Sequence, residues 1–205
     1  MHILRVVTVY DPDAAALPSD LRSVLTKQDV QAIRSGSEFF ATLAGPASPK
    51  WLQKVLAGCA DSAYELQFHA TGEDTYRPYF RFRWAGEPAI SLPRRRPLRR
   101  DLPAFLRHIY GVIGSFRENR FDEAGGLHCG DELVPVAETG MWVEPGSPID
   151  PATAVPFLET YSGSQLCYLV GGGGAWLEAC EFHHVKNLER EVARYFEALL
   201  RGTRI

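Results

Sequence analysis

Apolar positions along this chain change period near residue 62 and again near residue 98. Before the first change the spacing is helical. Leu21, Val24, Leu25 and Ile33 predict a helix over residues 19–34, with Ser19 as its N-cap and Gly36 as its stop. Ser37 caps a short apolar helix at 39–44. Ser48 and Pro49 open a third, in which Trp51, Leu52, Val55 and Leu56 make one face and Gly58 marks the end. Residues 1–7 read as a short strand, joined to these helices by a turn-rich connection at 11–18.

Period two then takes over. Tyr64, Leu66 and Phe68 alternate with Glu65, Gln67 and His69, and residues 79–84 repeat the alternation with arginines outward. With Gly72-Glu73-Asp74 as the turn, residues 62–92 predict a half-buried antiparallel hairpin followed by an edge segment. Residues 93–100 hold two prolines and five arginines, a solvated connector and a boundary between an N-terminal α/β region (1–97) and an α+β region (98–205) that can still form one continuous domain. Asp101 caps a helix over 102–116, with Leu102, Phe105, Leu106, Ile109, Val112, Ile113 and Phe116 as its stripe. Strands follow at 127–129, 133–136, 141–143, 154–158, 165–170 and 175–182, with the glycines 171–174 as a turn. A final helix spans about 187–200 and Gly202 ends it. The class implied is α+β, a mostly antiparallel sheet flanked by helices.

Charge changes this picture more than composition does. No Lys or Arg occurs between Phe121 and His184, a stretch with ten carboxylates and a balance of −10. Residues 76–120 carry eleven arginines against three acids, a balance of +8, so the net −3 of the whole chain conceals a strong polarity. An acidic half without counter-charges repels nucleic acid and steers basic protein surfaces toward itself. Acidic surfaces also serve solubility alone, which is the competing explanation. No run is long and apolar enough to span a bilayer, and residues 1–7 lack the form of a secretory leader. Four scattered cysteines, Cys59, Cys129, Cys167 and Cys180, fit buried thiols in a reducing cytoplasm better than a disulfide framework.

The second half resembles the SUKH superfamily, also called the SMI1/KNR4-like family. The residues that carry the likeness are Asp101-Leu102-Pro103-Ala104-Phe105-Leu106, then Leu133-Val134-Pro135-Val136 and Val155-Pro156-Phe157-Leu158. They continue through 163–169 and Gly172-Gly173-Gly174-Ala175-Trp176-Leu177 to the closing helix 188–200. The family's Asn-Gly after its first helix is replaced by Arg117-Glu118-Asn119-Arg120. The resemblance implies a SUKH-like C-terminal half with an N-terminal α/β extension. It also implies a non-enzymatic cytoplasmic immunity protein that binds and neutralises a cognate bacterial toxin, with no cofactor. Asp131, Glu132, Glu138, Glu144, Asp150 and Glu159 are then the candidate contacts for the toxin's cations. Trp142 and Tyr161 are aromatic anchors, and Trp176 is a further one; burial in the core is the competing role for each Trp.

Other chemistry has weaker support. His128-Cys129, Cys167, Cys180 and His183-His184 are ligand types that zinc takes, but adjacent residues in a strand face opposite ways, and only Cys180 and His183 are compactly spaced. A small metal-binding module or enzyme built on them is one alternative. No Gly-x-Ser-x-Gly elbow is present, and Gly171–Gly174 leads into an acidic strand rather than a phosphate-binding helix. Residues 94–100, with Tyr79, Phe80, Phe82 and Trp84 nearby, make a nucleic-acid adaptor the other alternative.

Overall fold

Thr26 splits the first expected helix in two. Its hydroxyl accepts from the Asp29 N–H while the Asp29 carboxylate accepts from the Thr26 N–H, a reciprocal cap that starts a new helix. The computed structural model describes residues 5–9, 17, 19–72, 75–83, 88–94, 96–117 and 125–202. The expected turn residues Glu73 and Asp74, most of the 11–18 connection, Trp84, Arg95, and the Glu118-Asn119-Arg120 segment lie outside them.

The first half runs β1 (Arg5–Val9), α1 (Ser19–Arg22), α2 (Lys27–Ser35), α3 (Glu38–Leu43), α4 (Lys50–Ala60), β2 (Tyr64–Gly72), β3 (Thr75–Phe82) and β4 (Ala89–Ser91). Gly58 does not end α4, which continues to Ala60 because Cys59 is wholly buried in the core. The second half runs α5 (Ala104–Val112), β5 (Ser115–Arg117), β6 (Gly126–Leu127), α6 (Val136–Thr139), β7 (Ala154–Glu159), β8 (Gln165–Leu169), β9 (Gly174–Glu178), β10 (Glu181–Val185) and α7 (Leu188–Leu200).

Four expectations change here. The helix expected to Phe116 ends at Val112, and Phe116 belongs to β5; Gly114 lies where a Cβ would collide with the Leu92 carbonyl. Val136 opens the short helix α6 instead of ending a strand, since Pro135 with φ −57° presets a helical turn. Residues 175–182 are not one strand. Ala179 (φ 45°) and Cys180 (φ 72°) close a tight hairpin between β9 and β10. The strand expected at 141–143 is absent, and those residues belong to no helix or strand.

The ten strands form one sheet in chain order, each antiparallel to the next. The ladder crosses residue 97 without interruption, because β4 pairs with β5 through Ala89↔Arg117, Ile90↔Phe116 and Ser91↔Ser115. A mixed α+β fold results, with a multi-stranded antiparallel sheet flanked by helices.

Alternation gives the sheet two faces of different character. On one, Leu66, Phe68, Phe80, Phe82, Ile90, Phe116, Leu127, Leu166 and Tyr168 meet Phe40, Leu52, Val55, Leu106, Val192 and Phe196 from α3, α4, α5 and α7. Trp51 stacks on Phe196 with ring centroids 4.1 Å apart, so the two halves of the chain share this core. The opposite face is apolar only over β7–β10, where Ala154, Cys167, Ala175, Leu177 and Phe182 pack under Val136 and Ile149 from the 133–153 connection. None of the described helices is long and apolar enough to cross a membrane.

Candidate functional site

Over β2–β5 that second face is polar yet buried. Its buried part is Gln67, His69, Arg77, Tyr79, Ala89, Ser91 and Ser115, each almost inaccessible to solvent, while Glu65, Arg81, Arg83 and Arg117 on the same face keep some exposure. The hairpin is therefore covered on both faces at Gln67–His69 and Arg77–Tyr79, while its Glu65–Arg83 end stays open on one face as the alternation predicts. Arg77 anchors this layer. Its Nη2 donates to Asp131 Oδ1 at 2.6 Å and Glu132 Oε1 at 2.9 Å, with the Arg77 and Asp131 side chains only 3% and 5% exposed. Gly130 lets that segment pass close: a Cβ there would sit 2.6 Å from the Tyr110 ring. Beside it the Tyr79 hydroxyl lies 3.2 Å from Cys129 Sγ, and the Ser91 and Ser115 hydroxyls are 2.7 Å apart.

Burial sets the protonation of this layer. It pushes the Cys129 thiol and the Tyr79 phenol up, so both stay neutral. It pushes His69 down to about 3, reinforced by the positive charge of Arg117. His128, 3.8 Å from Glu159, is pushed down to about 4 by burial and again by Arg117. A neutral imidazole makes no ion pair, and burial also raises the Glu159 carboxyl. With its thiol held protonated and its carboxylates committed to Arg77, the layer holds the sheet together and offers no activated nucleophile.

A different cluster stands open to solvent at one end of the sheet. The β9–β10 hairpin sets Glu178 opposite Glu181, and both are exposed. The Cys180 carbonyl inside that turn accepts from the Glu144 N–H at 3.0 Å, which brings the 141–144 strip to the same place. The β7–β8 turn ends there too, because Gln165 pairs with both Glu159 and Leu177. It carries Tyr161, 44% exposed. Trp142, two residues before Glu144, is 64% exposed, and Met141 beside it is also exposed. Among the described residues no cation lies within ion-pair distance of Glu144, Glu178 or Glu181.

The eight candidate contacts thus divide. Trp142, Glu144 and Tyr161 gather at this end, with Glu159 one strand position inside and partly covered. Asp131 and Glu132 turn inward to Arg77, and only the latter keeps substantial exposure. Glu138 on α6 and Asp150 lie toward the other end, where the Ala137 N–H bonds to Pro151 and the Val170 N–H to Thr153. Trp176 is partly buried against the helix-covered core, its Nε1 3.5 Å from Glu191. Glu178 and Glu181 were not singled out from the sequence, because a single strand over 175–182 hides the turn that pairs them.

Elsewhere, the described residues contain no group of three His, Cys, Asp or Glu side chains placed to hold a metal ion. Cys59, Cys129 and Cys167 are buried free thiols. In the arginine run, Arg94 donates to the Tyr76 carbonyl and Arg99 grips Asp101 through both Nε and Nη2, leaving Arg96 and Arg100 exposed. An open depression of about 560 Å³ lies between Asp101, Phe105, Gly171–Gly173 and Lys186–Glu189, and no cysteine, serine or histidine lines it. No protein-family model, curated protein or solved structure matches the chain.

Proposed function

We propose that this chain is a non-enzymatic immunity protein whose SUKH-like second half binds a cognate bacterial toxin in the cytoplasm and occludes its active or substrate-binding surface. One observation carries the reading: Trp142 stands 64% exposed on the strip that the Glu144 N–H ties to the β9–β10 turn, and no described cation lies within ion-pair distance of Glu144, Glu178 or Glu181 at that end. An exposed aromatic at an end of the sheet that also carries uncompensated carboxylates suits a basic surface with a pocket for the ring. The carboxylates speed encounter and fix orientation, while desolvation of the indole supplies affinity. A toxin that acts on nucleic acid or another anionic substrate carries such a surface. Tyr161 extends the contact along the same end of the sheet, with Glu138 and Asp150 as an outer zone. The likeness of residues 101–106, 133–136, 155–158 and 163–177 to the SUKH superfamily points to the same class of activity.

The test is affinity capture of the tagged protein from its own cells, followed by co-expression of the captured protein. The reading expects one stoichiometric partner with a basic surface, whose toxicity this chain relieves and the Trp142→Ala variant does not. A chain that relieves no toxicity, or relieves it equally well without Trp142 and Glu144, contradicts it.

A further inference from the structure

The strand β10 is last in the sheet, so among the described residues one of its edges has no neighbouring strand. Ahead of it Ala179 and Cys180, both at positive φ, form a two-residue turn of the I′ kind. Such a turn makes Glu178 and Glu181 a hydrogen-bonded pair, and alternation then directs the backbone groups of Glu181, His183 and Val185 toward β9. The N–H and C=O of Phe182 and His184 point the other way, and no described residue bonds to them. Glu181, His183 and His184 are all exposed, so neither α7 on one face nor the 133–153 connection on the other closes over this edge. The strand carries no proline, bulge or inward lysine of the kind that blunts an open edge.

We propose that this edge is a self-association site, on which the β10 of a second copy pairs antiparallel about a two-fold axis at His183. That register sets Phe182 opposite His184 of the second copy, and His184 opposite its Phe182. Both are hydrogen-bonded pairs, so every outward N–H and C=O of the two strands is satisfied. Charge selects a second copy over a foreign strand. Lys186 is the first cation after the long acidic stretch, and it follows β10 directly at the end remote from Glu181. Antiparallel pairing lays Glu181 opposite Val185 of the second copy, beside that copy's Lys186, and symmetry repeats the contact. Diagonally across the same face, Glu181 meets His183 of the second copy, a polar neighbour at the spacing where cross-strand pairs interact. Parallel self-pairing would instead stack Glu181 on Glu181 and Lys186 on Lys186. The pairing shares Glu181 with the docking surface proposed above, while Trp142 and Tyr161 belong to segments outside the paired strands.

Sedimentation velocity on the full chain from about 1 to about 200 μM decides the matter. The expected result is a monomer–dimer equilibrium within that range. His184→Pro removes an outward N–H at a position whose backbone does not bond to β9. It is expected to raise the dissociation constant at least about tenfold, since each dimer loses two backbone hydrogen bonds. Glu181→Lys is expected to weaken the dimer severalfold, and the double change Glu181→Lys with Lys186→Glu to restore it. A monomer at every concentration overturns the proposal. So does a dimer that the charge change and its reversal leave unmoved, a readout that stands even if His184→Pro fails to fold.

Discussion

Asp131 and Glu132 belong to the same cation-free stretch as Glu144, Glu178 and Glu181, yet the two groups have opposite fates. The first pair meets Arg77, which β3 carries in from the arginine-rich block, and becomes part of a buried layer. Among the described residues the second group meets no cation, and it stays exposed at one end of the sheet. A run of like charge is therefore not one surface. Where the fold brings an opposite charge within reach, a carboxylate stabilises the protein; where it does not, the field remains for another molecule.

The largest expected effect breaks the inward group. Arg77→Met leaves the buried Asp131 without its partner and should cost about 3–5 kcal/mol in urea unfolding. Glu144→Gln, in the open group, should stay within about 0.5 kcal/mol of the parent. Equal costs for both would erase the distinction.

Acid titration sharpens the same contrast. His69 is held neutral in the fold down to about pH 3, while the unfolded chain takes up that proton near pH 6.5. Between those values the unfolded state binds more protons, so stability falls as pH falls, by a few kcal/mol at about 1.4 kcal/mol per unit. His128 adds the same sign down to about 4. Glu159 and Asp29, with carboxyls raised by burial, oppose it at the lower end of the range, so the slope is steepest about a unit below pH 6.5, before those carboxyls take up protons. Melting temperatures of the parent and of His69→Gln across pH 5–7 check this. The variant should lose much of the slope.

Effects on the open group should appear in binding and not in folding. Trp142→Ala should weaken the cognate complex by about 2 kcal/mol or more and leave unfolding unchanged. Smaller still is Glu178→Lys, which relieves repulsion with Glu181 across the hairpin. It should raise stability by a few tenths of a kcal/mol while slowing association and flattening its salt dependence.

Much of the fold was legible because periodicity reports burial. The α4 stripe, the 64–68 alternation and the stripe of α7 all pack as their spacing implies. What stayed hidden follows from residues with two compatible roles. Phe116 fits the helical stripe of α5 and a strand equally well. Ala179 and Cys180 carry no Gly or Asn to announce a turn, so the pairing of Glu178 with Glu181 was invisible. The second buried face stayed hidden because its small or neutral residues Gln67, Tyr79, Ala89, Ser91 and Ser115 share their row with Glu65, Arg77, Arg81 and Arg83, which read as a solvated strand. The exposure of Trp142 had no local signature, since an indole among carboxylates reads equally as core or anchor until the 133–153 connection is placed.

Site-directed photocrosslinking in the native cells tests the central claim most directly, with a photoreactive phenylalanine at position 142 and, as a control, at Glu197 on the exposed side of α7. The account predicts one abundant adduct from position 142, to a basic protein whose toxicity this chain suppresses, and none to that protein from position 197. Adducts to the same protein at equal yield from both positions, or none from 142, would contradict it.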